Sequence, residues 1–138
     1  MDPQITVLTL GVADLERSVV FYRDGLGFKT SGIVGEAFEH GAVAFFQLQS
    51  GLQLALWPRR SIAFDTGLSE QPPSSTEFTI GHNVDSVSAV DAVMNQAKQA
   101  GALIVKSAQS TFYGGYAGYF QDPDGHLWEV VFNPTFSA

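Results

Sequence analysis

Apolar and polar residues alternate over 5–12, "ITVLTLGV", as in a strand with one buried face. Asp14 then stands where a helix N-cap belongs. Leu15, Val19, Tyr22 and Leu26 recur at helical spacing, and Gly25 or Gly27 can end that helix. Strands are predicted near 28–34, 42–49 and 52–58, the last two joined by a turn at Ser50-Gly51. The same grammar then returns. A strand over 77–84 leads to Asp85 or Ser86 as a cap and to a helix carrying Val87, Val90, Met94 and Ala97. Gly101 stops it, and strands follow near 102–106, 116–121 and 127–132. The order β-α-β-β-β is written twice.

Counting supports a repeat. "AFFQLQSGLQLALWP" (44–58) lies 74 positions before "GYFQDPDGHLWEVVF" (118–132), which aligns Phe46 with Phe120, Gln47 with Gln121 and Gly51 with Gly125. Ala55 falls opposite Glu129. A second match, offset by 72, sets "VLTLGVADLERSV" (7–19) against "TIGHNVDSVSAVD" (79–91), with Val7 on Thr79 and Val12 on Val84. Between them, "RRSIAFDTGLSEQPPSST" (59–76) contains Pro72-Pro73 and a Ser/Thr cluster, so it reads as a connector rather than an element. The expected organisation is one domain over 1–138, with module 1 over about 5–60, a linker over 61–76 and module 2 over about 77–134.

Composition narrows the function. The 138 residues are 45% hydrophobic and 12% aromatic, enough for a packed interior. A net charge of −7, with Arg59-Arg60 as the one basic cluster, argues against nucleic acid as a partner. No apolar run is long enough to span a membrane, and "MDPQITVLTLG" lacks the basic start of a signal peptide. The absence of cysteine removes disulfides, thiol nucleophiles and thiolate metal sites. A soluble, cytoplasmic protein is expected.

With "LGVADLERSVVFYRDGLGF" (10–28) and "GYFQDPDGHLWEVVFNP" (118–134), the paired halves resemble the vicinal-oxygen-chelate superfamily of glyoxalases, bleomycin-resistance proteins, fosfomycin-resistance enzymes and extradiol dioxygenases. The resemblance implies an α+β fold in which two β-α-β-β-β modules form a curved-sheet cup, and it implies a homodimer. It also implies metal ligands at the inward positions of the first and last strand of each module, which here are Val7, Ala55, Thr79 and Glu129. Valine and alanine cannot coordinate, and a threonine hydroxyl is poor alone, whereas a catalytic divalent site keeps about three protein ligands. No metal and no other cofactor is therefore expected. His40, His82 and His126 do not replace the missing ligands, since strand parity turns His82 and His126 away from the Thr79 and Glu129 face.

The same parity puts Glu129 on one face with Leu127 and Val131, with Gln53, Ala55 and Trp57, and with Val7, Thr9, Glu77, Thr79 and Gly81. "TFYGGYAGY" (111–119) adds Phe112, Tyr113, Tyr116 and Tyr119 among glycines. The candidate ligand-binding set is thus Glu129, Trp57, Gln53, Thr79, Glu77, Thr9, Phe112, Tyr113 and Tyr116. Such a lining suits a small aromatic or amphipathic molecule, bound without a metal as in the bleomycin-resistance type. The alternative is a lyase, isomerase or dioxygenase in which Glu129 serves as ligand or catalytic base, its pKa tuned by Glu77. Trp128 is expected in the core, and the acids of "DPDG" are expected in solvent.

Overall fold

In the computed structural model, which describes residues 1–135, the chain forms two compact units, Met1–Pro72 and Pro73–Ala138. The first runs β1 (Val7–Val12), α1 (Leu15–Val20), β2 (Thr30–Val34), β3 (Val43–Gln47), β4 (Gln53–Pro58) and α2 (Arg59–Thr66). The second runs β5 (Ile80–Asn83), α3 (Val87–Gln99), β6 (Leu103–Ser110), β7 (Tyr116–Gln121) and β8 (Leu127–Phe132). Their sheets have the same topology, β1-β4-β3-β2 and β5-β8-β7-β6, each open and each with one parallel pair at its first strand.

The cross-strand register restates the repeat. Ala55 pairs with Thr9 and Phe45, while Glu129 pairs with Gly81 and Tyr119. The first-strand partners differ by 72 and the others by 74, the offsets counted in the sequence. Alternation then sorts the side chains. Leu10, Val12, Phe46, Leu54 and Leu56 are buried on the helix side of the first sheet, where the Tyr22 ring lies 6.0 Å from that of Phe46. In the second unit, Val90, Met94 and Ala97 of α3 are buried with Phe120, Trp128 and Val130. Phe120 and Trp128 stack nearly parallel, at 4° and 5.9 Å. Trp128 is core, as its parity predicts.

The starts of α1 and α3 are capped as the sequence indicates. Arg17 N donates to Asp14 Oδ1 at 3.1 Å, and Ala89 N donates to Ser86 Oγ at 3.0 Å. Past Val20 the first helix widens into a π-helical turn over Phe21–Gly25, which ends near Gly27 in the left-handed region (φ 78°).

Two expectations are corrected. The supposed linker begins with a helix, α2, because Pro58 suits a helix entrance and Gly67 (φ 77°) closes its end. Ser61 of that helix is buried and lies 3.1 Å from His40 Nδ1, and the His40 ring stacks on Phe64 at 4.3 Å. The strand expected over 77–84 shrinks to Ile80–Asn83. The parallel ladder starts where Ile80 meets Trp128, and upstream the Gly125 carbonyl is taken by the Ser75 hydroxyl at 2.7 Å rather than by a strand.

The turn before β8 differs as well. Asp122 and Asp124, expected in solvent, are buried. Asp122 Oδ1 accepts the backbone N–H of Asp124 and of His126, each at 2.9 Å, and Oδ2 lies 2.7 Å from His126 Nδ1. A side chain that satisfies its own turn can be buried at little cost.

Candidate functional site

Each unit carries a depression on one sheet face, turned away from α1 in the first and from α3 in the second. In the second unit it is a cavity of about 260 Å³, with Ala117, Tyr119 and Glu129 from β7 and β8. Lys106 and Gln109 of β6 and the Ser110–Tyr113 segment complete it. Two register shifts in the β6–β7 ladder bracket Lys106, one between Ile104 and Lys106 and one between Lys106 and Gln109. Bulges of this kind re-aim side chains and bend an edge strand. In the first unit Thr9, Gly41, Val43, Phe45, Ala55 and Trp57 line a cavity of about 290 Å³.

These cavities are repeat-mates with different chemistry. Phe45 and Ala55 occupy in the first unit the paired positions of Tyr119 and Glu129 in the second. The first cavity is apolar, and Trp57 is held in it by donation from Nε1 to the His40 carbonyl at 3.0 Å. The second is polar. Tyr119 O–H donates to Glu129 Oε2 at 2.8 Å, and that hydrogen bond, reinforced by burial, raises the Tyr119 pKa above the ordinary phenol value.

The expected residues divide accordingly. Glu129, Phe112 and Tyr113 come together in the second unit, and Thr9 and Trp57 in the first. Gln53 lines neither cavity and pairs with Val7 at the strand start. Glu77 and Thr79 lie exposed ahead of β5, where Ser74 Oγ donates to Glu77 at 3.4 Å, so Glu77 is not among the groups lining the Glu129 cavity. Tyr116 sits on the helix-covered face, three residues from Tyr119 and so of opposite parity, and donates to Asp91 Oδ1 of α3 at 2.7 Å. That bond raises the Tyr116 pKa.

Lys106, Gln109 and the partnership of Tyr119 with Glu129 were not legible as site features. The last had a signal. A hairpin turning at Asp122–Gly125 pairs Gln121 with Leu127, and stepping two residues outward on each strand brings Tyr119 against Glu129.

The donor set does not fit a divalent metal. Val7 and Ala55 offer no donor, Thr79 lies outside the strand, and Glu129 is already bonded by Tyr119. Among the described residues no three His, Asp or Glu side chains gather as a metal group. No described helix is long and apolar enough to cross a membrane.

Two repeats of β-α-β-β-β, each with a depression on its uncovered sheet face, define a glyoxalase-like fold. The chain belongs to the glyoxalase/bleomycin resistance protein/dioxygenase superfamily, whose family model matches residues 4–130. A glyoxalase-related enzyme from Fulvimarina pelagi is 33% identical, with a TM-score of 0.81 over 98% of this chain and 91% of that one. A lactoylglutathione lyase from Agrobacterium tumefaciens is 20% identical, with a TM-score of 0.67 over 96% of this chain and 95% of that one. The genomically encoded fosfomycin resistance protein of Listeria monocytogenes is 22% identical, with a TM-score of 0.70 and the same two coverages. The last two share the fold. No curated protein sequence matches the chain significantly.

Proposed function

We propose that the chain binds a small aromatic or amphipathic molecule without a metal, in the cavity above Tyr119 and Glu129. The observation that carries this reading is a half-buried carboxylate, held by a phenol, at the base of a cavity rimmed by Phe112 and Tyr113. Sites for small ligands have this character, apolar rings around a few fixed polar groups. The volume of about 260 Å³ suits a small ligand.

The test is a ¹⁵N-correlation NMR screen of the full chain against a panel of aromatic amines, aromatic acids and amphipathic antibiotics. Shifts confined to the amides of residues 106–113, Tyr119 and Glu129 support the reading. A panel that leaves those amides unmoved overturns it. Elemental analysis of protein purified without chelators tests the metal-free part, which one tightly bound metal ion per chain would overturn. The resemblance carries a homodimer into this reading, and light scattering on a sizing column reads its mass directly.

One observation favours a second reading. The Tyr119–Glu129 pair supplies a carboxylate base beside a phenol donor, the elements of proton transfer next to a carbonyl. Exchange of an α-proton with heavy water, lost in Glu129→Gln, would identify an isomerase or lyase.

A further inference from the structure

The second-unit cavity holds one cation and one anion that do not pair with each other. Register places Lys106 against Tyr119 and Tyr119 against Glu129, so the three form one row across β6, β7 and β8. Adjacent strands lie about 4.8 Å apart, which puts the Lys106 and Glu129 backbones about 10 Å from each other. The Tyr119 hydroxyl occupies Glu129 Oε2, while Oε1 and the Lys106 ammonium have no partner among the described residues. Two bulges, one on each side of Lys106, turn β6 so that this side chain lines the cavity. Phe112 is fully exposed at the rim, edge-on to Tyr113 with ring centres 5.2 Å apart.

We infer that this cavity takes a small dipolar aromatic, with its cationic group at Glu129, its anionic group at Lys106 and its ring against Phe112 and Tyr113. The inference rests on the binding function proposed above and names the chemical class of the ligand. Its physical basis is charge matching. Lys106 and Glu129 are the charged side chains of the lining, and a ligand of a single charge leaves one of them unmatched. A flat ring is the body that spans such a row while stacking on exposed aromatic faces.

The test is an NMR titration of the full chain with 4-(aminomethyl)benzoate, benzylamine and benzoate. The dipolar probe should bind about tenfold more tightly than either singly charged probe, as expected for one added charge-assisted contact. Glu129→Gln, which still offers Tyr119 an acceptor, should erase its advantage over benzoate. Lys106→Met should erase its advantage over benzylamine. Equal affinities for the three probes, or an advantage untouched by both variants, would overturn the dipolar class while the binding function stands. Silence from these three while other aromatics of the wider panel bind has the same meaning. Silence from the whole panel removes both.

Discussion

Tyr119 donates its phenolic proton to Glu129 across the β7–β8 pair at 2.8 Å, where the first unit sets Phe45 against Ala55. The repeat makes the two positions equivalent, and their side chains make one polar and one apolar. The carboxylate that the sequence presents as isolated is therefore half of a pair.

The pair predicts a pH signature. Its hydrogen bond, with burial second, raises the Tyr119 pKa above the phenol value of about 10. The folded state then holds the proton more tightly than the unfolded chain does. The resulting stability is fully present below the unfolded pKa and is lost as pH rises through the folded one. In a tyrosinate absorbance titration, Tyr119 and Tyr116 should both ionise above the ordinary phenol range. Glu129→Ala should advance only the Tyr119 step, and Tyr119→Phe should cost about 1 kcal/mol in urea unfolding.

Asp122 should matter more to stability than any residue of the cavity. Its buried carboxylate accepts two backbone N–H groups and meets the His126 ring. Asp122→Ala strands those donors and should destabilise by about 2–4 kcal/mol. Asp122→Asn keeps one acceptor oxygen and should cost less. Urea midpoints of the two variants check the order, and an alanine variant as stable as the parent would contradict it.

Gly118 should tolerate no side chain. A Cβ there would stand 2.8 Å from Met94 Cε and 3.0 Å from the Ala108 backbone nitrogen. Methionine can swing aside, but the β6 backbone must move. Gly118→Ala should therefore cost about 1–3 kcal/mol, read as a lowered thermal midpoint.

The Tyr116–Asp91 bond links β7 to α3 at an exposed edge. Tyr116→Phe should change stability by less than about 1 kcal/mol and leave ligand binding intact, because the ring lies on the helix-covered face. A binding defect in calorimetric titration would return Tyr116 to the site.

The alternation of 5–12, the caps at Asp14 and Ser86, and the 72- and 74-residue offsets were enough to define the paired modules and the face on which Glu129 lies. Those features are local or periodic, and local sterics and amphipathic burial act on them directly. Helix α2 escaped because Pro72-Pro73 dominate a segment whose apolar residues are few, so Ser61 and Phe64 gain partners only once His40 is folded beside them. Glu77 and Thr79 lie ahead of the parallel ladder, which begins at Ile80, while upstream the Ser75 hydroxyl takes the Gly125 carbonyl. Lys106 entered it through bulges in an edge strand, which no period announces. By itself the sequence determined which residues could share a face; the tertiary structure decided which of them meet, because ladder ends and bulges are set by hydrogen-bond partners far away in the chain.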